Sequence, residues 1–315
     1  METAVYQLDS HTFLIDGYDL NMAKRTGSYV LTDPDSDRFT IIETGPSLSV
    51  PYIESGLKQL GLHTDQLDAL IVTHVHLDHA GGAGLFVKDK PHVNVGVHPK
   101  GLKHLDNPDK LVKGARAVYG EEFDRLFEPV VPIDNSQLFE AADGNSISVG
   151  SNRKLTVIET PGHAAHHIAL FDSLTLTMFT GDTLGIRYPE LEEQDAPCFL
   201  PSTSPNQFDP EQMKASLAKI KTYHPERIAF GHFGVTDHLQ RVEEELTRWL
   251  KIYTSLGKNC YQNGMTLEKF TEELQETVMA ELAGYQVSGN TKRMIALDIQ
   301  ISAMGVYDWI RKTAE

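Results

Sequence analysis

The stretch THVHLDHAGG, Thr73 to Gly82, places three histidines and an aspartate close together. It follows LDALIV, a short apolar run typical of a strand buried on both faces. His74 and His76 are two residues apart, so at a strand end their side chains point to the same side and can hold one ion. Asp78 and His79 follow at once, and the two closing glycines allow a tight backbone turn. The stretch predicts a His/His pocket and an Asp/His pocket side by side.

Two metal pockets of this kind need further ligands from elsewhere in the chain. Three other segments place a polar ligand directly after a short apolar strand: TPGH at His163, FTGD at Asp182 and GH at His232. Strand ends converge on one rim of a sheet sandwich, so the four segments can meet. Isolated histidines lack such neighbours and are expected to lie on the surface or to pack as ordinary side chains; they are His11, His63, His92, His104 and His238.

The order of predicted elements, several strands and then helices, occurs twice along the chain. In the first half, short strands over 4–45 precede a helix at SVPYIESGLKQLG, and one helix is predicted for LVKGARAVYGEEFDRLF. In the second half, Asp209 as N-cap and Pro210 at the first helical position start another helix. We expect two packed β layers with helices outside. Residues 1–236 form the predicted catalytic domain, and 237–315 form a helical extension packed on it.

This set of motifs resembles the metallo-β-lactamase superfamily, most closely its glyoxalase II-like and lactonase-like hydrolases, over roughly Ala4 to Gly234. The resemblance implies an α+β fold, the four-layer αββα sandwich, with a dinuclear site. Two divalent cations are implied, usually zinc, with iron or manganese in some members. The implied ligands are His74, His76 and His163 for one metal, Asp78, His79 and His232 for the other, and Asp182 as the bridge.

The chemistry implied by two such cations is hydrolysis. Cations roughly 3.5–4 Å apart acidify a bridging water, which attacks a carbonyl group that the metals polarise. Asp78 is placed to steer the proton. A local charge of about +4 offsets the acidic surface and can hold an anionic substrate. We expect a metal-dependent hydrolase that cleaves a small lactone, ester or thioester.

Several residues near the ligands have more than one interpretation. His166 and His167 follow the third motif, where the family uses small or polar residues, and His167 either orients a ligand or packs structurally. Arg187 and Tyr188 follow the bridging aspartate. Lactonase-like enzymes carry a tyrosine after this aspartate at a shorter spacing, so Tyr188 is our predicted oxyanion donor.

The segment 196–209 is long and proline-rich for a plain connection. One interpretation is that it overhangs the metals, where Phe199, Leu200 and Phe208 form an apolar wall. The other interpretation is a surface loop held by buried anchors.

The chain departs from the pattern of glyoxalase II-like enzymes at two places. Glyoxalase II-like enzymes carry GCGR-type and GHEY-type segments, where this chain reads GDTLGIRYPE and GHFGVTD. Glutathione thioester specificity is therefore not implied. Superfamily nucleases have glycine at the position of Leu77, and true β-lactamases lack Asp78 in this form. Of the hydrolase classes in the superfamily, these departures leave an ester, lactone or thioester hydrolase.

Two other classes of function share this fold. Persulfide dioxygenases use the same motif with one iron for oxygen chemistry, and a non-enzymatic sensor could retain the fold for binding alone. The sequence contains all seven implied ligands, which argues against a non-enzymatic protein that has lost its metal site.

The composition limits the partners. Of 315 residues, 44 are acidic and 28 basic, and the net charge of -16 repels nucleic acid and anionic membranes. We therefore expect the substrate to be a small molecule. If the protein forms an oligomer, we expect a homodimer. The two cysteines, Cys198 and Cys260, argue against a disulfide framework and allow one bridge at most. With no visible signal peptide and no run of about 18 apolar residues, we expect a cytoplasmic protein.

Overall fold

The computed structural model describes residues 3–314, in which two β-sheets pack face to face. The first sheet has seven strands in chain order, antiparallel from β1 to β4 and parallel from β4 to β7. Its strands are β1 Val5–Asp9, β2 Thr12–Asp16, β3 Gly27–Thr32, β4 Phe39–Ile42, β5 Leu67–Ile71, β6 Asn94–Val97 and β7 Leu138–Glu140.

The second sheet has six strands in the order β15-β14-β11-β10-β9-β8, all antiparallel except the β11/β14 pair. Its strands are β8 Ser146–Val149, β9 Arg153–Glu159, β10 Ile168–Asp172, β11 Thr177–Phe179, β14 Arg227–Ala229 and β15 Val235–Thr236. A separate two-stranded ribbon pairs β12, Ile186–Arg187, with β13, Phe199–Leu200.

Helices cover the outer faces of both sheets. They are α1 Val50–Gln59, α2 Leu77–Ala80, α3 Ala83–Val87, α4 Leu102–Asp106, α5 Asp109–Tyr119, α6 Phe123–Phe127, α7 Pro189–Glu192, α8 Pro210–Lys221, α9 Leu239–Gln262, α10 Leu267–Glu281 and α11 Gly289–Thr313. Single 3₁₀ turns lie at Asp19–Asn21, Ser47–Ser49, Thr64–Gln66, Gly120–Glu122 and Asn135–Gln137.

Alternation along the strands builds the layers. In the first sheet Val30 and Ile41 pack toward α1 and α3, whereas their neighbours Leu31 and Ile42 pack toward the second sheet. Successive side chains on a strand point to opposite faces, so each strand serves two cores. Side chains of the second sheet alternate between its two faces in the same way. Its outer face is buried under α8 and the C-terminal helices. The predicted α+β class and four-layer αββα sandwich are confirmed.

The helix boundaries differ from the prediction at one place. The segment predicted as one helix is two, α5 and α6, because Gly120 has φ 57 and a 3₁₀ turn follows. Such a backbone conformation is readily adopted only by glycine. The predicted start of α8 is confirmed, since the Asp209 carboxylate accepts hydrogen bonds from the backbone N–H groups of Glu211 and Gln212.

The three C-terminal helices α9, α10 and α11 share one continuous apolar core with α8 and the second sheet. The domain boundary at residue 236 stays a prediction. Within the described part of the chain, no helix is long and apolar enough to cross a membrane. Cys198 and Cys260 are buried free thiols.

One buried ion pair ties the two sheets together. The guanidinium of Arg153 on β9 donates to Asp172 Oδ2 at 2.6 Å, and both side chains are fully buried. It also donates to the carbonyl oxygens of His11 and Thr32, next to strands of the first sheet. The side chain therefore satisfies acceptors from both layers of the sandwich.

We predict that Arg153→Met lowers the free energy of unfolding by about 3–5 kcal/mol, because Asp172 is left as an unpaired buried charge. Urea denaturation followed by circular dichroism measures it. The matched control is Lys214→Met, which removes an exposed pair with Glu211 and should change the same quantity by about 0–1 kcal/mol. Equal effects of the two variants would contradict the assignment.

Candidate metal centre

The opening motif lies at the carboxyl end of β5, as predicted, and its residues Leu77–Ala80 form one helical turn. The backbone N–H groups of His79 and Ala80 both donate to the carbonyl of His76, which starts α2. This turn places Asp78 and His79 beside His232, in a pocket that adjoins the one formed by His74 and His76. The two pockets are in contact, since the ring centroids of His74 and His79 are 4.3 Å apart.

The first pocket holds three imidazoles. His74 Nε2 and His163 Nε2 lie 3.0 and 2.9 Å from His76 Nδ1. His163 Nδ1 lies 2.9 Å from the carbonyl oxygen of Ser202, which can only accept, so Nδ1 carries the proton and Nε2 presents a lone pair. Three ring nitrogens at this separation cannot all be satisfied by hydrogen bonds with one another. They can share one cation.

The second pocket holds Asp78, His79 and His232. Asp78 Oδ2 is 3.7 Å from the Nε2 atoms of both histidines. Asp182 lies between the pockets, since its Oδ1 is 3.1 Å from His79 Nε2 and its Oδ2 is 3.4 Å from His232 Nε2 and 3.7 Å from His163 Nε2. All seven predicted ligands therefore come together, with Asp182 in the position predicted for the bridge.

The protonation of the two pockets differs. Burial, reinforced by the neighbouring imidazoles, holds the pKa of His74 and of His76 well below the usual value, so both are neutral. Burial also disfavours the charged form of His79, but Asp182 and Asp78 outweigh it and raise its pKa. Burial favours the neutral acid of Asp182, yet the surrounding histidines lower its pKa well below the usual value. The carboxylate is thus ionised in a buried position.

Two ligand atoms at the second pocket are buried without a hydrogen bond among the described residues. They are His79 Nε2 and Asp182 Oδ1, which are close but poorly aligned. Buried polar atoms are normally satisfied, so such a cluster of unsatisfied ones is unusual. The nitrogen and oxygen donors fit a borderline cation such as zinc.

The backbone around Asp182 is fixed by a glycine and a histidine. Gly181 has φ +47, and a Cβ there would lie 2.4 Å from Thr73 Oγ1 and 2.6 Å from His167 Nε2. His167 Nε2 accepts a hydrogen bond from the Asp182 N–H, and its Nδ1 is 2.9 Å from the hydroxyls of Thr160 and Thr183. Both ring nitrogens are engaged, so His167 orients Asp182 and does not line a pocket.

Two supporting residues were not singled out from the sequence. Glu43 accepts from the backbone N–H of Thr73 at 3.0 Å, and its other oxygen lies 3.5 Å from His79 Nδ1. Ser202 donates from its hydroxyl to Asp182 Oδ2 at 2.8 Å. Glu43 directly follows the apolar strand β4, so the strand-end pattern that indicated the ligands would also have indicated it.

The prediction for Tyr188 is wrong. Its side chain is 2% exposed within the apolar core, and its hydroxyl donates to Asp298 Oδ2 at 2.9 Å. Asp298 in turn pairs with Arg25, whose second partner is Asp19. Burial and Asp298 raise the pKa of the Tyr188 phenol well above its usual value. Tyr188 anchors α11 to the sandwich and does not reach the ligands.

Arg187 and the 196–209 segment have structural roles beside the site. Arg187 pairs with Glu192 and donates to the carbonyl of Phe233, next to the ligand His232. The three residues predicted to form an apolar wall are instead buried in the core, which supports the alternative of buried anchors; they are Phe199, Leu200 and Phe208.

A cavity of about 270 Å³ opens onto the site, near the lower end of the size range of ligand pockets. His76, Asp78 and Asp182 are among the residues that line it. The 196–209 segment contributes polar lining, including Ser204 and Asn206. A small substrate can therefore reach both pockets from one side.

Comparison with known proteins places the chain in a family. The sequence profile of the Metallo-beta-lactamase superfamily matches residues 25–232. The metallo-beta-lactamase fold-containing protein ST1585 of Sulfurisphaera tokodaii is 28% identical over 190 residues, 59% of this chain and 67% of that protein. The crystal structure of ST1585, with 20% identity, matches at a TM-score of 0.68 over 94% of this chain and 98% of that one.

Two enzymes are similar over shorter spans. A hydroxyacylglutathione hydrolase of Albidiferax ferrireducens is 29% identical over 50% of this chain and 48% of its own length. The N-acyl homoserine lactonase AttM of Agrobacterium fabrum is 28% identical over 56% of this chain and 62% of its own length. The chain thus matches about half to two thirds of these curated relatives. It belongs to the metallo-beta-lactamase superfamily.

Proposed function

We propose that the protein is a dinuclear metal-dependent hydrolase that cleaves a lactone, ester or thioester of a small molecule. The observation that carries the proposal is the pair of buried donor groups on either side of Asp182. Either group can hold a cation, because the three ligand atoms within each group lie within 4.8 Å of one another. One pocket would be held by His74, His76 and His163, and the other by Asp78, His79 and His232.

A pair of divalent cations bound there supplies Lewis-acid polarisation of a carbonyl and lowers the pKa of water toward neutrality. Asp78, whose side chain is 20% exposed, faces the cavity and can accept a proton from an attacking water molecule. The serine hydroxyl of Ser202 holds one oxygen of Asp182, which keeps the carboxylate aligned between the pockets.

The similarity to a hydroxyacylglutathione hydrolase and a homoserine lactonase supports hydrolysis of an acyl bond. Zinc is the metal we propose, because the donors are nitrogen and carboxylate oxygen; iron or manganese would use the same ligands. The cytoplasmic location and the homodimer stay predictions from the sequence.

The alternative with one iron, persulfide oxidation, is disfavoured by the second complete donor group. Oxygen consumption with glutathione persulfide and no hydrolysis would select that alternative. Bound metal with no turnover of any kind would instead favour a sensor.

We predict about two metal ions per chain in the purified protein and loss of one of them in His76→Ala, which removes a ligand of the first pocket. Turnover of a lactone or thioester should fall at least roughly 100-fold, since removing even the hydrogen-bond partners of ligands costs about 10- to 100-fold. Elemental analysis and a colorimetric assay measure these quantities.

The control is His92→Ala, because His92 is exposed and is not among the residues that line the cavity. It should retain wild-type metal content and turnover. Wild-type protein that stays metal-free after incubation with zinc, or His76→Ala that keeps full activity, would contradict the proposal.

A separate prediction concerns Tyr188. Tyr188→Phe should lower the free energy of unfolding by about 1–3 kcal/mol, because a buried carboxylate loses a donor, while hydrolysis stays far above that of His76→Ala. Urea denaturation and the same assay measure the two effects. Tyr285→Phe, at a residue 38% exposed, is the control. A large loss of turnover in Tyr188→Phe with unchanged stability would restore its predicted catalytic role.

A further inference from the structure

Helix α5 forms one wall of the cavity with an apolar stripe. Leu111, Ala115 and Val118 line the cavity at helical spacing. Leu111 and Ala115 pack in part against the buried cluster that contains Phe123 and Phe127. No α5 residue is fully buried, so part of the stripe faces the cavity. The stripe is therefore an apolar surface that the chain itself only partly covers.

The apolar lining extends beyond α5 to Phe127, Ile186 and Ile301. The metal-ligand side chains of His76, Asp78 and Asp182 line the same cavity. A molecule with its reacting bond at these ligands would have the rest of the cavity, including the α5 stripe, available to its body. Polar side chains line the cavity as well, among them Arg25, Lys110 and Ser204.

Tyr119, the last residue of α5, brings a polar group to this apolar wall. Its ring packs edge-on against Phe127 at a centroid distance of 4.8 Å. Its side chain lines the cavity, and its hydroxyl forms no hydrogen bond with the described residues. Burial together with the nearby charge of Asp78 raises its pKa well above the usual value, so the phenol keeps its proton. This protonated hydroxyl can therefore donate a hydrogen bond to a molecule bound in the cavity.

We propose that α5 is the substrate-recognition wall: the substrate carries an unbranched apolar arm that packs on Leu111, Ala115 and Val118, and Tyr119 donates a hydrogen bond to the substrate's ester group. This inference rests on the proposed hydrolase function and names its substrate class, acyl compounds with an apolar chain.

The test is hydrolysis of p-nitrophenyl esters from acetate to octanoate by the zinc-loaded protein. We expect kcat/KM to rise about fourfold per methylene group until the cavity is filled. Ala115→Trp, which fills the groove, should remove the increase. Ala117→Trp is the matched control, because Ala117 is exposed on the same helix and outside the cavity lining; it should retain the increase.

Tyr119→Phe keeps the ring against Phe127 and removes only the hydroxyl. It should lower kcat/KM by at least about tenfold for every ester, with the dependence on chain length and the metal content unchanged. A wild-type rate that does not depend on chain length, equal behaviour of the two tryptophan variants, or full activity of Tyr119→Phe would overturn the inference.

Binding of the carboxylate products separates this inference from the proposed function. Calorimetry with butyrate, hexanoate and octanoate should show affinity rising with chain length in the wild type and in Ala117→Trp, but not in Ala115→Trp. If no ester is hydrolysed and this trend persists, the hydrolase proposal fails while the recognition wall stands. If esters are hydrolysed and the trend is absent, the recognition wall fails.

Discussion

The dominant constraint on this molecule is the burial of donor atoms at the rim of the sandwich. Five histidines and two aspartates converge there, and the ligand atoms His79 Nε2 and Asp182 Oδ1 have no hydrogen-bond partner among residues 3–314. Leaving such atoms buried and unsatisfied costs about 1–3 kcal/mol each. A folded chain tolerates this only if something else satisfies them, and a cation is the partner that accepts lone pairs from imidazole and carboxylate together.

The rest of the fold can be understood as support for that rim. The parallel strands of the first sheet and the strand ends of the second deliver ligands from four segments to one edge. The turn of α2 divides the opening motif between two pockets, and His167 fixes the backbone of Asp182. Arg25, paired with Asp19 and Asp298, joins the start of the chain to α11 beside the cavity. The C-terminal helix thus shapes the site although it supplies no predicted ligand.

The layers and the meeting of the ligands could be predicted because both depend on local patterns. An apolar run followed by a histidine or aspartate identifies a strand end, and strand ends share an edge. The orientation of Tyr188 could not be predicted, because its hydroxyl direction depends on Asp298, 110 residues away in the chain. The anchors of the 196–209 segment and the break at Gly120 likewise depend on tertiary packing and a backbone angle. Glu43 was missed although its position after β4 carried the same strand-end pattern.

X-ray diffraction at the zinc absorption edge, from crystals of the zinc-loaded protein, tests the central claim most directly. The account predicts two anomalous peaks roughly 3.5–4 Å apart, one at the nitrogens of His74, His76 and His163 and the other at Asp78, His79 and His232, with Asp182 between them. A single peak, or peaks away from these side chains, would contradict it.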